Sequence, residues 1–335
     1  MRAFLLRRLA GMLLVWVGVT ILTFFIANVV PSDPVALRLG PKASPEIIEK
    51  MRHEFGLDLP LHQQYLNFLK GLLKGDLGNS IWSGRPVLRD LQDYLPATLE
   101  LGLTAFLVTI IVGISLGLWA STTHQMWLDH LIQLFATFGL AVPLFWLGMV
   151  LQILFYLRLG ALPLDSRIDL QLGPPEHLTG LYIVDSLLQG DFIRLTNSLK
   201  HLILPVVTLS LPSIGATARM TRASMLEVLS SDYIRTARSK GASNRRVFWR
   251  HALQNALIPV VTLLGNTANA LLAGTFVVEV IFNWPGIGWY ATKVILASDY
   301  VAVISITLVI AVICTTINLI VDIFYRILDP RIQLR

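Results

Sequence analysis

Six basic side chains, Arg235, Arg238, Lys240, Arg245, Arg246 and Arg250, fall within residues 232–259, between two strongly apolar runs. The chemistry open to them is electrostatic rather than covalent. A cation at the bilayer centre costs about 2.5–3.5 kcal/mol on insertion scales, so the stretch lies outside the hydrocarbon, and positive-inside bias puts it on the cytoplasmic side. The patterns that carry covalent or metal chemistry are missing. The seven histidines (53, 62, 124, 130, 177, 201, 251) are scattered without metal-ligand spacing. There is no Gly-x4-Gly-Lys-Ser/Thr loop to cradle phosphates and no Gly-x-Ser-x-Gly elbow. The single cysteine, Cys314, precludes an intrachain disulfide and reads as a small hydrophobe. Catalysis by this chain is not expected, and any uphill work must draw its free energy from a partner.

The elements that hold these cations read as a helix, a break and a second helix. Leu226, Leu229, Tyr233 and Ala237 recur at three- and four-residue spacing and share one helical face. Gly241 ends that helix, because glycine takes the left-handed position without steric cost. Ser243 then caps a second helix running into the next apolar segment. Along Tyr233, Ala237 and Gly241 the face narrows from bulky to nothing, a shape that fits a groove on another protein. Charge alone favours a basic loop that fixes topology; the break and the taper ask for more.

The stretch resembles the cytoplasmic EAA loop of ABC-importer permeases, Glu-Ala-Ala-x3-Gly-x9-Ile-x-Leu-Pro. Aligned on Gly241, the Glu-Ala-Ala positions are Arg235, Thr236 and Ala237, the Ile and Leu positions are His251 and Leu253, and Gln254 stands at the proline. Ala237, Gly241 and Leu253 match the general motif, and Arg-Thr-Ala is the form usual in the dipeptide/oligopeptide permeases. The resemblance implies that this loop docks into a cleft on an ATPase subunit, through Leu229, Tyr233, Arg235, Thr236, Ala237, Arg238 and Gly241.

Composition sets the fold class. The chain is 54% hydrophobic and 14% charged with a mean hydropathy of +0.65, against about 25% charged in ordinary globular chains. It lacks the polar groups to cover a water-facing surface. Its net charge of +6 needs no nucleic acid to explain it. Arg2, Arg7 and Arg8 precede an apolar run from Leu9 to Val30, too long for the roughly 7–15-residue core of a signal peptide. It reads as a retained first helix with a cytoplasmic N-terminus. Pro31-Ser32-Asp33-Pro34 stops it. Residues 31–95 are mixed and polar, with helical periodicity near 45–55 and 63–73, and are placed outside. Further spans are expected near 97–121, 129–157 (with Pro143 kinking the helix or marking a bend), 202–225 (with Pro205 and Pro212), 256–282 and 300–325. Residues 158–200 read as an external loop. Asn283-Trp284-Pro285-Gly286-Ile287-Gly288 reads as a tight external turn in which Pro and Gly supply the fixed and positive φ values. Of the 27 Lys and Arg, 14 fall in the N-terminus, residues 219–250 and the C-terminus, which agrees with both ends inside.

Polar residues recur within the spans. Thr262, Asn266, Asn269 and Ala273 share a face of the fifth span, and intramembrane amides line a wet cavity or bond between helices. Asn318, Asp322 and Arg326 are four apart and are expected to fix the inner end of the last helix.

The resemblance extends over nearly the whole chain, through Gly75-Asp76-Leu77-Gly78-Asn79-Ser80, the insertion at 158–200 typical of dipeptide-type members, and Glu279 with the Pro-Gly turn. It implies an all-α integral membrane protein of six transmembrane helices, the type I importer fold, with a large periplasmic loop after helix 1. The layout is a first helix (1–30), a periplasmic region (31–95), a permease domain (96–325) with coupling loop 226–250, and a cytoplasmic tail (326–335). It implies a dipeptide or short-oligopeptide permease in the bacterial inner membrane. The partners are a second homologous permease, two ABC ATPases that bind ATP and Mg, a periplasmic solute-binding protein and membrane lipid; the chain itself holds no cofactor or metal. Thr262, Asn266 and Asn269 would line the pathway, and Glu279, Trp284, Pro285 and Gly286 would meet the binding protein. The same permease type serves nickel chelates, glutathione and haem. A rival from another class is a proton-coupled secondary transporter, which needs a mid-membrane carboxylate or histidine relay that the spans nearly lack.

Overall fold

The computed structural model describes residues 2–29, 58–122 and 141–328, with residues 46, 49, 50, 53, 134 and 139 in addition. Among the described residues helix dominates; residues 159–181 are irregular, and a single antiparallel bridge joins Asn79 and Pro86. Five helices are long and apolar enough to cross a membrane, and a sixth, Leu144–Arg158, is shorter. The chain divides into two compact units, Met1–Leu95 with Gly286–Thr316, and Pro96–Pro285 with Ile317–Arg335.

The first unit is built on α1 (Arg2–Val29) and α2 (Leu61–Leu73). Trp16 Nε1 donates to Thr315 Oγ1 at 2.9 Å, and Thr20 Oγ1 meets the Tyr65 hydroxyl at 2.9 Å. Phe24 packs edge-on to Tyr65, with ring centroids 5.3 Å apart. The glycine-punctuated segment that follows is tied to the start of the last helix by one carboxylate. Asp299 Oδ2 accepts from Ser80 Oγ at 2.6 Å, Ile81 N at 2.6 Å and Trp82 N at 3.1 Å, while its Oδ1 caps Ala302 N at 3.1 Å. A side chain at Gly78 would press on Val301. Residues 63–73 are helical as the periodicity predicts; the pattern at 45–55 lies mostly outside the described residues.

The second unit holds the rest of α3 (Val87–Thr122), α4 (Leu144–Arg158), α5 (Tyr182–Gln189), α6 (Phe192–Leu229), α7 (Asp232–Ser239), α8 (Asn244–Ile281) and the C-terminal end of α10 (Tyr300–Leu328). The first unit supplies α9 (Ile287–Leu296) and the start of α10. The core of the second unit joins Ala97, Leu101, Leu202, Leu209, Leu271 and Phe282 from α3, α6 and α8. Toward their C-terminal ends α3 and α6 close on each other through small residues. A Cβ at Gly113 would lie 2.8 Å from Thr217 Cβ, and one at Gly117 only 2.5 Å from Thr221 Cβ. This is the small-residue seam by which membrane helices approach when solvent exclusion no longer drives them together.

Several boundaries differ from the sequence reading, because an apolar run marks the membrane and not the helix. α3 begins at Val87 and carries Pro96 inside it. α6 begins at Phe192, where Asp191 caps it by accepting Arg194 N at 3.0 Å. α5 occupies part of the expected loop. Pro143 is the residue before α4 begins, with an extended ψ of 137°, and so marks a bend ahead of that helix, one of the two outcomes its missing donor predicts. In the turn after α8 the positive φ belongs to Asn283 (45°), while Gly286 has a φ of −112° and needs no glycine-only conformation.

Candidate coupling site

The basic stretch folds as a helix, a turn and a helix, but its first helix is new and not a continuation of α6. At the end of α6, Ser230 Oγ donates to Glu227 O and Ser231 Oγ to Val228 O, so side chains satisfy the terminal carbonyls and stop the helix. Ser231 is extended (ψ 152°), and α7 starts at Asp232. The single face predicted from Leu226 to Ala237 is therefore split between two helices. Gly241 behaves as expected: its φ is 81°, Ala242 N bonds to Ala237 O at 3.1 Å and Gly241 N to Arg238 O at 2.9 Å. That pair of bonds is the Schellman closure of a helix C-terminus. Ser243 caps α8, its hydroxyl accepting from Arg246 N at 3.4 Å.

α7 is held to the protein by one large apolar side chain. Ile234 is 0% exposed and packs with Met225, Val247, Ala252 and Ala256, with Leu118, Leu229 and Ala237 around them. Burying an isoleucine of this kind stabilises by roughly 1.5–3 kcal/mol. Arg235, Thr236, Arg238, Ser239 and Lys240 point outward, and Gly241 has open space where a side chain would be. Arg235 and Asp232 lie 3.8 Å apart but both are almost wholly exposed, so water screens the pair. Tyr233 is 44% exposed, and its hydroxyl turns back to the root of α8. The site residues read from sequence thus divide. Leu229 and Ala237 belong to the inner cluster and Arg235, Thr236, Arg238 and Gly241 to the free surface, while Tyr233 is exposed but hydrogen-bonded back to the root of α8. Ile234 was missed, although it is the only aliphatic side chain larger than alanine in an otherwise polar octet, which is the signal of an anchor.

On α8 the predicted polar face also divides. Asn269 Nδ2 donates to Asn318 Oδ1 at 2.7 Å, an interhelical bond. Thr262 and Asn266 remain exposed, on a stripe that continues through Gln254, Asn255, Pro259 and Ala273. The Arg326 side chain lies outside the described residues.

At the opposite end of the same unit the charged groups are buried. Arg167 donates to Glu100 Oε2 through Nη2 at 2.5 Å and Nε at 3.2 Å, and to Gly180 O at 2.9 Å. Its guanidinium lies 3.6 Å from the Tyr182 ring centroid. Glu100 Oε1 accepts from Ile183 N at 2.8 Å, so one carboxylate ties α3, residues 159–181 and α5 together. Asp185 accepts from Thr179 Oγ1 at 2.6 Å, Thr179 N at 2.8 Å and Gly180 N at 2.9 Å. Burial pushes the Asp185 carboxyl up, but these donors outweigh it and hold it below its ordinary value. Asp169 is lowered too, first by the Asn197 amide and then by His201.

Two residues expected to face an external partner belong to this interior. Glu279 is 0% exposed and accepts from Thr98 Oγ1 at 2.7 Å; Trp284 is 1% exposed and donates from Nε1 to Ala97 O at 2.9 Å. A buried carboxylate and indole each need a partner, and both find one within this chain. Gly286 is likewise buried and Pro285 half-buried.

Comparison with known proteins bears on the whole chain. The family described as "Binding-protein-dependent transport system inner membrane component" matches residues 113–334, and the family of its N-terminal region matches residues 1–102. The chain is 43% identical to "Probable D,D-dipeptide transport system permease protein DdpB" of Escherichia coli over 97% of its length and 96% of that protein's. It is 41% identical to "Dipeptide transport system permease protein DppB" of Alkalihalophilus pseudofirmus over 99% of this chain and 100% of the relative. It is 38% identical to the protein of the same description from Escherichia coli over 99% of each.

Proposed function

Because the chain belongs to the binding-protein-dependent transport system inner membrane components, we propose that it is the membrane-spanning permease subunit of an ATP-driven importer of dipeptides or short oligopeptides. The observation that carries this reading is near-full-length similarity to dipeptide permeases, together with α7 as an exposed basic helix between two spanning helices. In this role the chain is a transport component and not an enzyme. Partner ATPases bind ATP and Mg, a second homologous permease completes the pathway, and an external binding protein delivers the peptide. The ATPases press on the outward side chains of α7, and the bundle switches between outward- and inward-open states by alternating access. Both termini lie in the cytoplasm, with the chain in the inner membrane. Thr262 and Asn266 face the path.

Proteoliposomes carrying the chain with its second permease, ATPases and binding protein test this. Dipeptide uptake that requires both ATP and the binding protein is the expected result. Uptake driven by a pH gradient in vesicles holding this chain alone overturns it, and uptake of a nickel chelate, glutathione or haem in place of peptide reassigns the substrate.

A further inference from the structure

The root of α8 is not regular. Residues Val247–Ala252 are wound as a π-helix, a wider turn whose carbonyls fall out of step with the α-helical donors that follow, and one often found where proteins do work. His251 lies at the exit of that turn, and its carbonyl oxygen takes two side-chain donors, Asn255 Nδ2 at 3.1 Å and the Tyr233 hydroxyl at 3.3 Å. Asn255 Nδ2 also donates to Tyr233 Oη at 2.8 Å. The three groups close a ring in which every donor has an acceptor. Tyr233 belongs to α7; the other two belong to α8.

We propose that Tyr233 and Asn255 are positioning residues that latch α7 to the π-wound root of α8, so the two turn as one body. The proposal rests on the function given above. The apolar contacts of Ile234 and Ala237 fix where α7 sits, but being non-directional they resist a roll of the helix only weakly. Tyr233, one residue from Ile234 and about 100° around the helix at 3.6 residues per turn, supplies the second point that blocks the roll. Without it, a push on α7 is absorbed at the Ser230–Ser231 break and the Gly241 bend. With it, the push arrives on the helix that carries Thr262 and Asn266. The hydroxyl that a docking reading assigns to the ATPase is on this account spent within the chain.

The test uses the assembled importer with Tyr233→Phe, Asn255→Leu and the double variant. Phe keeps the ring and removes the oxygen. The ATPases should co-purify as with the parent and ATP turnover should stay within about twofold, while peptide imported per ATP falls at least threefold. The double variant should be no worse than the worse single one, since the groups act as a unit. Parent-like import per ATP in both single variants overturns the latch, and so does loss of the ATPases from the complex, which would make these docking contacts. A second measurement does not depend on the transported substrate. In a Cys314→Ser background, spin labels on Arg238→Cys and Trp249→Cys report the distance from α7 to the π-turn. That distance should be the same with and without ATP in the parent and should spread in Tyr233→Phe. A parent distance that changes with nucleotide overturns the latch even if peptide transport stands. A constant one upholds it even if the complex imports no peptide.

Discussion

The two ends of the second unit are fastened by opposite means. At the end that carries α7, the helix rests on one isoleucine, a handful of small apolar neighbours and hydrogen bonds partly open to water. At the opposite end Glu100, Arg167, Asp185 and Glu279 are all buried and each is satisfied by donors or acceptors from a different segment. Apolar contact tolerates small displacements, since it is short-ranged but not directional. A buried charge network has one good geometry and a steep penalty for leaving it. The contrast separates a part shaped to be moved from a part shaped to stay.

Removing one anchor from each end is the sharpest way to break that contrast. Arg167→Met strands Glu100 in the interior and should cost about 3–5 kcal/mol, read as a large drop in the thermal midpoint of the purified protein. Glu100→Leu together with Arg167→Met should recover most of it. Ile234→Ala should cost about 2–4 kcal/mol, but locally: α7 amides should exchange faster while the global midpoint moves little. Equal global losses would remove the distinction.

A finer comparison uses two glycines with nearly the same backbone, Gly180 (φ 80°) and Gly241 (φ 81°). Both place an L-residue in the left-handed region, at about 1–2 kcal/mol. At Gly180 a Cβ would also lie 2.8 Å from Pro96 Cγ, whereas at Gly241 it meets nothing. Gly180→Ala should therefore lower the midpoint about twice as far as Gly241→Ala. The effect of Gly241→Ala should appear instead as weaker co-purification of the ATPases, by about twofold or more.

The smallest expected effect is an acid response at the end that carries Asp185. The folded-state value of the Asp185 carboxyl lies below its unfolded value. Its stabilisation is therefore complete above the ordinary carboxylate value of about 3.9 and fades as pH falls through the lower, folded one. Hydrogen exchange of residues 176–191 should rise as the protein is taken from about pH 6 to about pH 3, relative to the intrinsic rate at each pH. Asp185→Asn should open the segment at every pH and flatten the response.

How much of this was readable beforehand follows from range. The Gly241 stop and the Ser243 cap are local, each decided within a few residues, and both stand where the sequence places them. The spanning runs are likewise legible, because their apolarity is set by the bilayer. What sequence could not show is pairing at a distance. Arg167 sits in a stretch that reads as loop, and Glu100 inside an apolar helix; only folding brings them to 2.5 Å. Glu279 and Trp284 looked available to a partner for the same reason. The Ser230–Ser231 break was visible as two hydroxyls, yet a helical period running through it masked the stop. The π-turn left no mark in the period.

The seam between α3 and α6 carries a rule for how this sequence can change. At Gly113 and Gly117 a hydrogen atom stands where any other residue would set a carbon against Thr217 or Thr221. A substitution on one strand of the seam alone pries the rods apart, whereas a methyl gained at one position and lost at the facing one leaves the spacing intact. Among descendants of this chain, those four sites should drift as couples.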